Sequence, residues 1–410
     1  MGSIITLGIG KMEIDWGKNN RYTDHSVLFQ QADVKDIPYY YVDLETEESI
    51  VEQKKGYSKK LIEVKQRLDM LGYSLDNLPK IYNDFIEEYN EPYDSPQEVI
   101  EYSQFYHAVY NINLSKVNSL IDSDGYVDLV DNANGYDLGE YTRKCILNDP
   151  EILKGVSIQN EGDISYFLEN IDPYITLRIL AENPDNQHLE LQWRYSDIVE
   201  GGWVKEEDIV CNLPDEYKVL IVTEGSSDSF ILKKSIKQLY PVIYDFFEFI
   251  DMEEGYPFTG VGSLFNFCKG LAKIHIRNNV IIIFDNDTAG NEKYEQAQKL
   301  ERPSTMMIWK LPEHSLFSNF DTKGPNGDSK SNINGKAVSI ECFLDFKEAN
   351  PYIQWTSFNR TLHQYQGEIY PKDELVRIFK SVDLNNVEYD SNKLKFLIDN
   401  LIRDWIAFKY

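Results

Sequence analysis

Two acidic residues in this chain have the type and spacing of a metal site. Asp285 and Asp287 stand two residues apart in Asp-Asn-Asp-Thr-Ala-Gly, directly after the apolar run Val280–Phe284. Two carboxylates held this close on a rigid backbone repel one another unless a cation offsets their charge, and carboxylate oxygens suit divalent ions. A cation there could activate water or stabilise a leaving oxygen. A solvated Asp-rich turn is the competing interpretation of this motif alone.

A second acidic motif precedes the first by roughly 60 residues, near the length of two successive βα units. Glu224 and Asp228 stand in Glu-Gly-Ser-Ser-Asp, after the mostly apolar run 218–223 and before an apolar helical stripe that begins at Leu232. Apolar runs of this kind are typical of strands buried on both faces of a sheet covered by helices. Ligand sites in such sheets lie at the carboxyl ends of strands, so we expect the acids to meet there.

The pair of motifs resembles the Toprim domain, whose pattern is a Glu after one strand, in EGxxD, and DxD after a later strand. Glu224 and Asp228 match the first half, and Asp285, Asp287 and Gly290 match the second. The resemblance implies one or two Mg²⁺ or Mn²⁺ ions used for cutting or joining phosphodiesters. It also implies that Glu224, Asp285 and Asp287 are catalytic and hold one metal, and that Asp228 holds a second.

Two later residues are candidates for the same site through a resemblance to OLD-type nucleases (overcoming lysogenisation defect), a branch of the Toprim proteins. In that branch an Ile-Glu pair often starts a helix that faces the metals, and Ile340-Glu341 matches it. The branch also carries a late lysine, which Lys372 resembles; an ammonium there would stabilise charge on the phosphate in the transition state. A solvated glutamate in a first helical turn and a surface lysine are the alternatives.

The composition limits the class of protein. The 410 residues carry a net charge of −27, which argues against a surface coated in basic residues for DNA. A nuclease whose metal ions contact phosphate remains compatible with that charge, but with weak non-specific binding or a partner that brings the nucleic acid. No apolar run is long enough for a membrane span. The cysteines form no CxxC pair, which favours reduced thiols, a cytoplasmic location and no zinc site: Cys145, Cys211, Cys268 and Cys342.

Three domains are expected. An α/β Toprim domain, Rossmann-like with a mostly parallel sheet flanked by helices, is expected at 216–345. An α+β domain at 1–215 precedes it, and a helical extension at 346–410 follows. Thr288 is expected to cap the helix after the DxD motif, and the polar stretch 318–336 to form a substrate loop. The four Toprim strands are expected at 218–223, 246–250, 280–284 and 306–311.

The N-terminal part shows a separate resemblance. Four short stretches resemble the HEPN/Toprim-associated N-terminal domain: Met1-Gly2-Ser3, Lys18-Asn19, Leu28-Phe29 and Leu71-Gly72-Tyr73. An active HEPN ribonuclease site is not implied, because Arg21 and His25 stand too close together for its Arg–His motif. The residue pattern predicts helices within 58–110 and strands at 4–10, 27–29, 39–42, 174–180 and 189–193.

Together these resemblances imply a Mg²⁺-dependent nuclease of bacterial anti-phage defence that cleaves DNA or RNA, with tRNA among the open substrates. Neither Gly10-Lys11 nor Gly335-Lys336 is followed by the Ser or Thr of a Walker A motif, so an ATPase or sensor subunit would be a separate partner. A non-catalytic sensor or scaffold that binds a metal–nucleotide complex is the alternative from another class. The oligomeric state and the activating trigger stay open.

Overall fold

The structure is a computed structural model of the chain. It describes residues 2–42, 49–91, 100–116, 118, 136–137, 171–209, 212–250, 260–325, 327–347, 349–360 and 362–410. Residue contacts divide the chain into two compact units, Met1–Leu213 and Pro214–Tyr410. Cys145 and Cys211 lie outside the described residues, whereas Cys268 and Cys342 are buried free thiols.

The first unit is built on a six-stranded sheet with the order β3-β4-β6-β1-β2-β5. Its strands are β1 (Ile4–Ile9), β2 (Met12–Lys18), β3 (Val34–Val42), β4 (Ser49–Lys60), β5 (Tyr136–Asp137) and β6 (Glu190–Arg194). Its helices are α1 (Leu61–Met70), α2 (Leu78–Asn90), α3 (Tyr102–Tyr110), α4 (Pro173–Leu180) and α5 (Ser196–Glu200). Trp193 of β6 is buried at the centre, where its ring stacks near those of Phe29 and Tyr57.

Two expected strands of this unit are helical. Residues 27–29 fall largely in a 3-10 helix, Ser26–Leu28, and residues 174–180 fall in α4. Pro173 occupies the first turn of α4, and the Asp172 side chain accepts a hydrogen bond from the Tyr174 backbone N–H at 2.9 Å, which is a helix start. Residues 175–180 are all buried, so their apolar run could not distinguish a helix from a strand.

The second unit contains a four-stranded, wholly parallel sheet with the order β11-β9-β7-β8. Its strands are β7 (Val219–Val222), β8 (Phe247–Phe249), β9 (Asn279–Phe284) and β11 (Met306–Lys310). The unit's helices are α6 (Ser226–Leu239), α7 (Val261–Lys273), α8 (Thr288–Gln298), α9 (Lys372–Ser381) and α10 (Asn392–Lys409). The mixed α/β content, the parallel sheet flanked by helices and the C-terminal helix confirm the coarse fold prediction.

The parallel sheet is buried on both faces. Val280, Ile282 and Phe284 pack with Leu264 of α7 and Ala297 of α8 in one core. Successive strand residues point to opposite faces, so Ile281 and Ile283, also buried, belong to the other face. On β11 the Trp309 indole donates to Asp404 of α10 at 2.9 Å. The apolar runs of the sequence therefore reflect helices on both sides of the sheet.

A second sheet lies in stretches that were expected to be a loop and a helical tail. Its order is β13-β12-β15-β16, and its strands are β12 (Phe320–Gly324), β13 (Gly327–Ser331), β15 (Tyr352–Asn359) and β16 (Gln364–Tyr370). Most of the predicted loop 318–336 is thus the β12–β13 hairpin. The region after 346 begins with the β15–β16 hairpin, and only then continues into α9 and α10.

Candidate functional site

The register of the parallel sheet brings the two acidic motifs to one edge. Strands β7 and β9 are neighbours, with Val222 opposite Ile282. Glu224 therefore follows β7 at nearly the level where Asp285 follows β9. Because both strands run in the same direction, these carboxylates leave the sheet at its carboxyl edge, where ligand sites of open α/β sheets lie.

Asp228 lies in the first turn of α6, directly after Glu224. One of its oxygens accepts the Gly225 backbone N–H at 3.0 Å, and the residue is 8% exposed. The acid therefore helps to begin the helix, and its other oxygen accepts a long hydrogen bond from the Ser227 hydroxyl at 3.4 Å. Acids in a first turn also interact favourably with the helix dipole.

Asp287 caps α8, in the place expected for Thr288. Its Oδ1 accepts the Gly290 backbone N–H at 2.6 Å, and its Oδ2 accepts a hydrogen bond from the Gln366 side chain of β16. Gly290 is needed for this turn, since a Cβ there would lie 2.2 Å from the Asp285 carbonyl oxygen. The glycine of the DxD motif thus allows α8 to begin immediately after the two aspartates.

Glu341 reaches the same region through a short ladder. Strand β10 (Asn286–Asp287) pairs antiparallel with β14 (Ala337–Val338), which leads into a 3-10 helix, Ile340–Phe343. Glu341 has no exposed surface, and its Oε2 accepts the Ser339 hydroxyl at 2.7 Å. A glutamate in a first helical turn is usually solvated, so burial distinguishes this one from that alternative.

Lys372, the first residue of α9, points its ammonium group at Glu341. The Nζ atom lies 3.1 Å from Oε1, which otherwise lacks a well-formed hydrogen bond, so the contact is an ion pair of imperfect hydrogen-bond geometry. Burial lowers the pKa of Lys372, but the charges of Glu341 and Asp228 outweigh it and raise the pKa above its usual value.

Burial and, after it, mutual repulsion raise the pKa values of several acids in this cluster. Burial raises the pKa of Asp228 to about 7, with Glu341 as the next cause. Burial, and then the charge of Asp228, raise the pKa of Asp285 well above its usual value. Burial and the charge of Asp287 raise the pKa of Glu224, against a hydrogen bond from the Val261 backbone. The cluster therefore has unbalanced negative charge when ionised, as expected where a cation binds.

Comparison with known proteins bears on the first half of the chain. A family model described as HEPN/Toprim N-terminal domain 1 matches residues 1–216, more than half of the 410 residues. The chain belongs to the HEPN/Toprim N-terminal domain 1 family. The match covers the first compact unit and confirms the HEPN/Toprim-associated architecture. No curated protein and no solved structure matches the chain.

All six predicted site residues of this HEPN/Toprim family member lie beyond the matched range. They are nevertheless neighbours: each of Glu224, Asp228, Asp285, Asp287 and Glu341 interacts electrostatically with others of the set or with Lys372. Among the described residues, no helix is long and apolar enough to cross a membrane.

The oxygen-only donor set fits Mg²⁺ or Mn²⁺ in its chemistry. As they stand, however, no three Asp, Glu, His or Cys side chains of the described residues are grouped to hold an ion. Asp287 is turned toward Gln366 and Gly290, and Glu341 toward Ser339 and Lys372. Metal binding in this HEPN/Toprim protein would require some of these carboxylates to exchange those partners for the ion.

Gln366 and Ser339 are the contacts that sequence reasoning missed. Both donate to candidate ligands, and second partners of this kind orient the carboxylates that hold a metal. Ser339 lies two residues before Glu341, where a local side-chain hydrogen bond was foreseeable. Gln366 comes from a distant hairpin and has no local signal.

Proposed function

We propose that this chain is a Mg²⁺- or Mn²⁺-dependent phosphodiesterase of the Toprim type that cleaves DNA or RNA. The observation that supports it is the convergence of two strand-end acid pairs and buried Glu341 at the carboxyl edge of one parallel sheet. Membership in the HEPN/Toprim N-terminal domain family suggests a nuclease-related role. Such a role matches the chemistry that these acids allow.

In this proposal Glu224, Asp285 and Asp287 hold one ion, and Asp228 and Glu341 hold a second. Bound ions of this kind generate a nucleophile from water and stabilise the leaving oxygen. The protein itself supplies orientation: the Gly290 N–H would keep its hydrogen bond to one oxygen of Asp287, and Ser339 would keep its hydrogen bond to one oxygen of Glu341. The other oxygen of each acid would exchange its present partner, Gln366 or Lys372, for the ion.

Lys372 supplies the remaining charge in the proposed reaction. Its raised pKa keeps the ammonium group protonated at neutral pH. If Glu341 held an ion, the ammonium group would be free to donate to a phosphate oxygen. Stabilisation of developing negative charge by a positioned cation acts mainly in the transition state.

A defence role against phage, with a separate ATPase or sensor subunit as partner, belongs to the same proposal. The chain has no Walker A motif, so nucleotide hydrolysis would come from that partner. The net charge of −27 repels free nucleic acid at low salt, which favours control of activity by a partner or trigger.

A non-catalytic sensor that binds a metal–nucleotide complex is the second candidate. It is favoured by the net charge of −27, which opposes binding of a long nucleic acid more than binding of a single nucleotide. Cleavage of labelled single-stranded DNA, duplex DNA, RNA and tRNA with Mg²⁺ or Mn²⁺ separates the two. We expect cleavage by the wild-type chain and none by Asp285→Asn. If neither the wild-type chain nor Asp285→Asn cleaves any substrate, with or without partner proteins, the result would support the sensor.

A further inference from the structure

Exposed aromatic side chains gather at the tip of the β15–β16 hairpin. Phe358 is 47% exposed and Tyr365 is 43% exposed. The two residues stand opposite each other across the strands, with ring centroids 4.9 Å apart, and Trp355 lies 6.2 Å from Tyr365. Cross-strand aromatic pairs stabilise a hairpin. This pair nevertheless leaves much of both rings open to solvent.

These aromatic residues lie on the same face of the hairpin as its buried residues, but nearer the tip. Ile353 and Ile369 are paired and buried at its base, and alternation puts Trp355 and Tyr365 on the same face. Two glycines make room for Trp355. A Cβ at Gly367 would lie 2.9 Å from its ring, and a Cβ at Gly324 equally close. The tryptophan is therefore fixed in position, whereas the rings beyond it are open.

The hairpin tip is free of the acidity that characterises the rest of the chain. Between 352 and 370 the sequence has one acid, Glu368, and one strong base, Arg360, against a net charge of −27 for the whole chain. Glu368 lies an odd number of residues from Tyr365 and so on the opposite face. Arg360 is exposed and forms no ion pair within the described part of the chain.

The edge of the same hairpin is bonded to the DxD turn. The Thr288 hydroxyl donates to the Tyr365 carbonyl at 3.0 Å, and the Ala289 N–H donates to the Gln366 side chain at 3.1 Å. Gln366 in turn donates to Asp287. The backbone that carries Tyr365 thus contacts the acidic site directly.

We propose that the aromatic tip, defined as Trp355, Phe358 and Tyr365 together with Arg360, the residue that follows β15, binds single-stranded nucleic acid next to the acidic site. This inference rests on the proposed function and specifies its substrate class. Unpaired bases stack on exposed aromatic rings and on arginine, whereas the bases of a duplex are already stacked on each other. A near-neutral surface suits stacking better than it suits the dense phosphates of a duplex.

Fluorescence anisotropy in EDTA measures this binding without cleavage. The probes are labelled oligo-dT, oligo-U and a duplex of equal length, at low salt, with the full chain. We expect single strands to bind more tightly than the duplex, and Phe358→Ala and Tyr365→Ala each to weaken single-strand binding about tenfold. Tyr365→Phe, which keeps the ring, should bind as wild type does.

Tyr370→Ala is the matched control, because Tyr370 is 56% exposed on the opposite face of the same hairpin. If Phe358→Ala fails to fold, Phe358→Leu keeps the apolar packing and removes the flat ring. Unchanged affinity in the Phe358 and Tyr365 variants, equal binding of duplex, or no binding at all would overturn the inference. So would loss of a co-purifying protein from these variants without loss of oligonucleotide binding.

Two outcomes distinguish the nuclease activity from the single-strand surface. Ring-dependent binding in EDTA by a chain that never cleaves rejects the nuclease and retains the single-strand surface. Cleavage with an unchanged KM in Phe358→Ala and Tyr365→Ala retains the nuclease and rejects the surface.

Discussion

The ammonium group of Lys372 lies 3.1 Å from Glu341, a carboxylate with no exposed surface of its own. Removing the lysine would leave the Glu341 charge buried and unpaired, whereas the Lys372 side chain is 48% exposed. In the proposed metal site, the charge of this lysine would compete with that of the ion. The pair would therefore link the metal affinity to the position of the lysine.

Lys372→Met should raise the affinity for Mg²⁺ by about tenfold or more, because a competing positive charge is removed near the acids. Cleavage should fall at saturating Mg²⁺, because the lysine no longer stabilises the transition state. Calorimetric titration and cleavage rates measure the two effects. Lys380→Met, on the same helix, should change neither. Weaker Mg²⁺ binding in Lys372→Met would contradict the competition.

Asp285→Asn should leave the metal-free melting temperature unchanged or higher at pH 8. The substitution keeps the shape of the side chain and removes one of several mutually repelling charges. The same variant should lose the stabilisation that Mg²⁺ gives the wild-type chain. Thermal melts with EDTA and with Mg²⁺ measure both effects. A much lower melting temperature in EDTA would make Asp285 a structural residue.

The metal-free protein should lose stability as the pH rises from about 5 to 8. Asp228 has a pKa near 4 when unfolded and about 7 when folded. A folded-state pKa above the unfolded one contributes stability that is complete below pH 4 and is lost as the pH passes through 7. Melts in EDTA at each pH should show the decline, and Asp228→Asn should make it shallower, because the raised pKa values of Asp285 and Glu224 still contribute. A stability that rises between about pH 5 and 8 would contradict the raised pKa of Asp228.

Glu224→Gln should lower cleavage by at least about 10²-fold, since a metal ligand or general base acts mainly in the transition state. Nucleic-acid binding should change far less. Single-turnover cleavage and anisotropy compare the two quantities. In phage-infected cells that also carry the genomic neighbours, the variant should lose protection. Equal protection by the variant and the wild type would favour the sensor.

Gly290→Ala should weaken Mg²⁺ stabilisation and destabilise the fold, because its Cβ would meet the Asp285 carbonyl oxygen at 2.2 Å. Backbone must shift to relieve that overlap, and the DxD acids move with it. Gly270→Ala is the control, since a Cβ there meets nothing within 4 Å on α7. It should stabilise the chain by up to about 1 kcal/mol. Similar changes in melting temperature for Gly290→Ala and Gly270→Ala would contradict a steric requirement for glycine at position 290.

The sequence allowed the strand-end acids to be found because their signals are local. Each acid pair directly follows an apolar run, and the runs are buried on both faces as expected. The helix α4 was missed because its apolar residues are buried all round. The β15–β16 hairpin was missed because a register shift between Trp355 and Ser357 interrupts the alternation along β15. Its aromatic residues Phe358 and Tyr365 are also exposed. The hydrogen bond between Gln366 and Asp287 joins residues far apart in the sequence, so only the three-dimensional structure shows it.

The wholly parallel sheet has a consequence for the time course of folding. Strands β7 and β9 are neighbours, yet a strand and two helices separate them along the chain. Pairing strands that are distant in sequence costs loop-closure entropy before the stabilising contacts form. It is therefore slower than hairpin formation. Glu224 and Asp285 meet only after this closure. We therefore expect stabilisation by Mg²⁺ to appear late in refolding, after the sheet has closed, and the hairpins to form earlier.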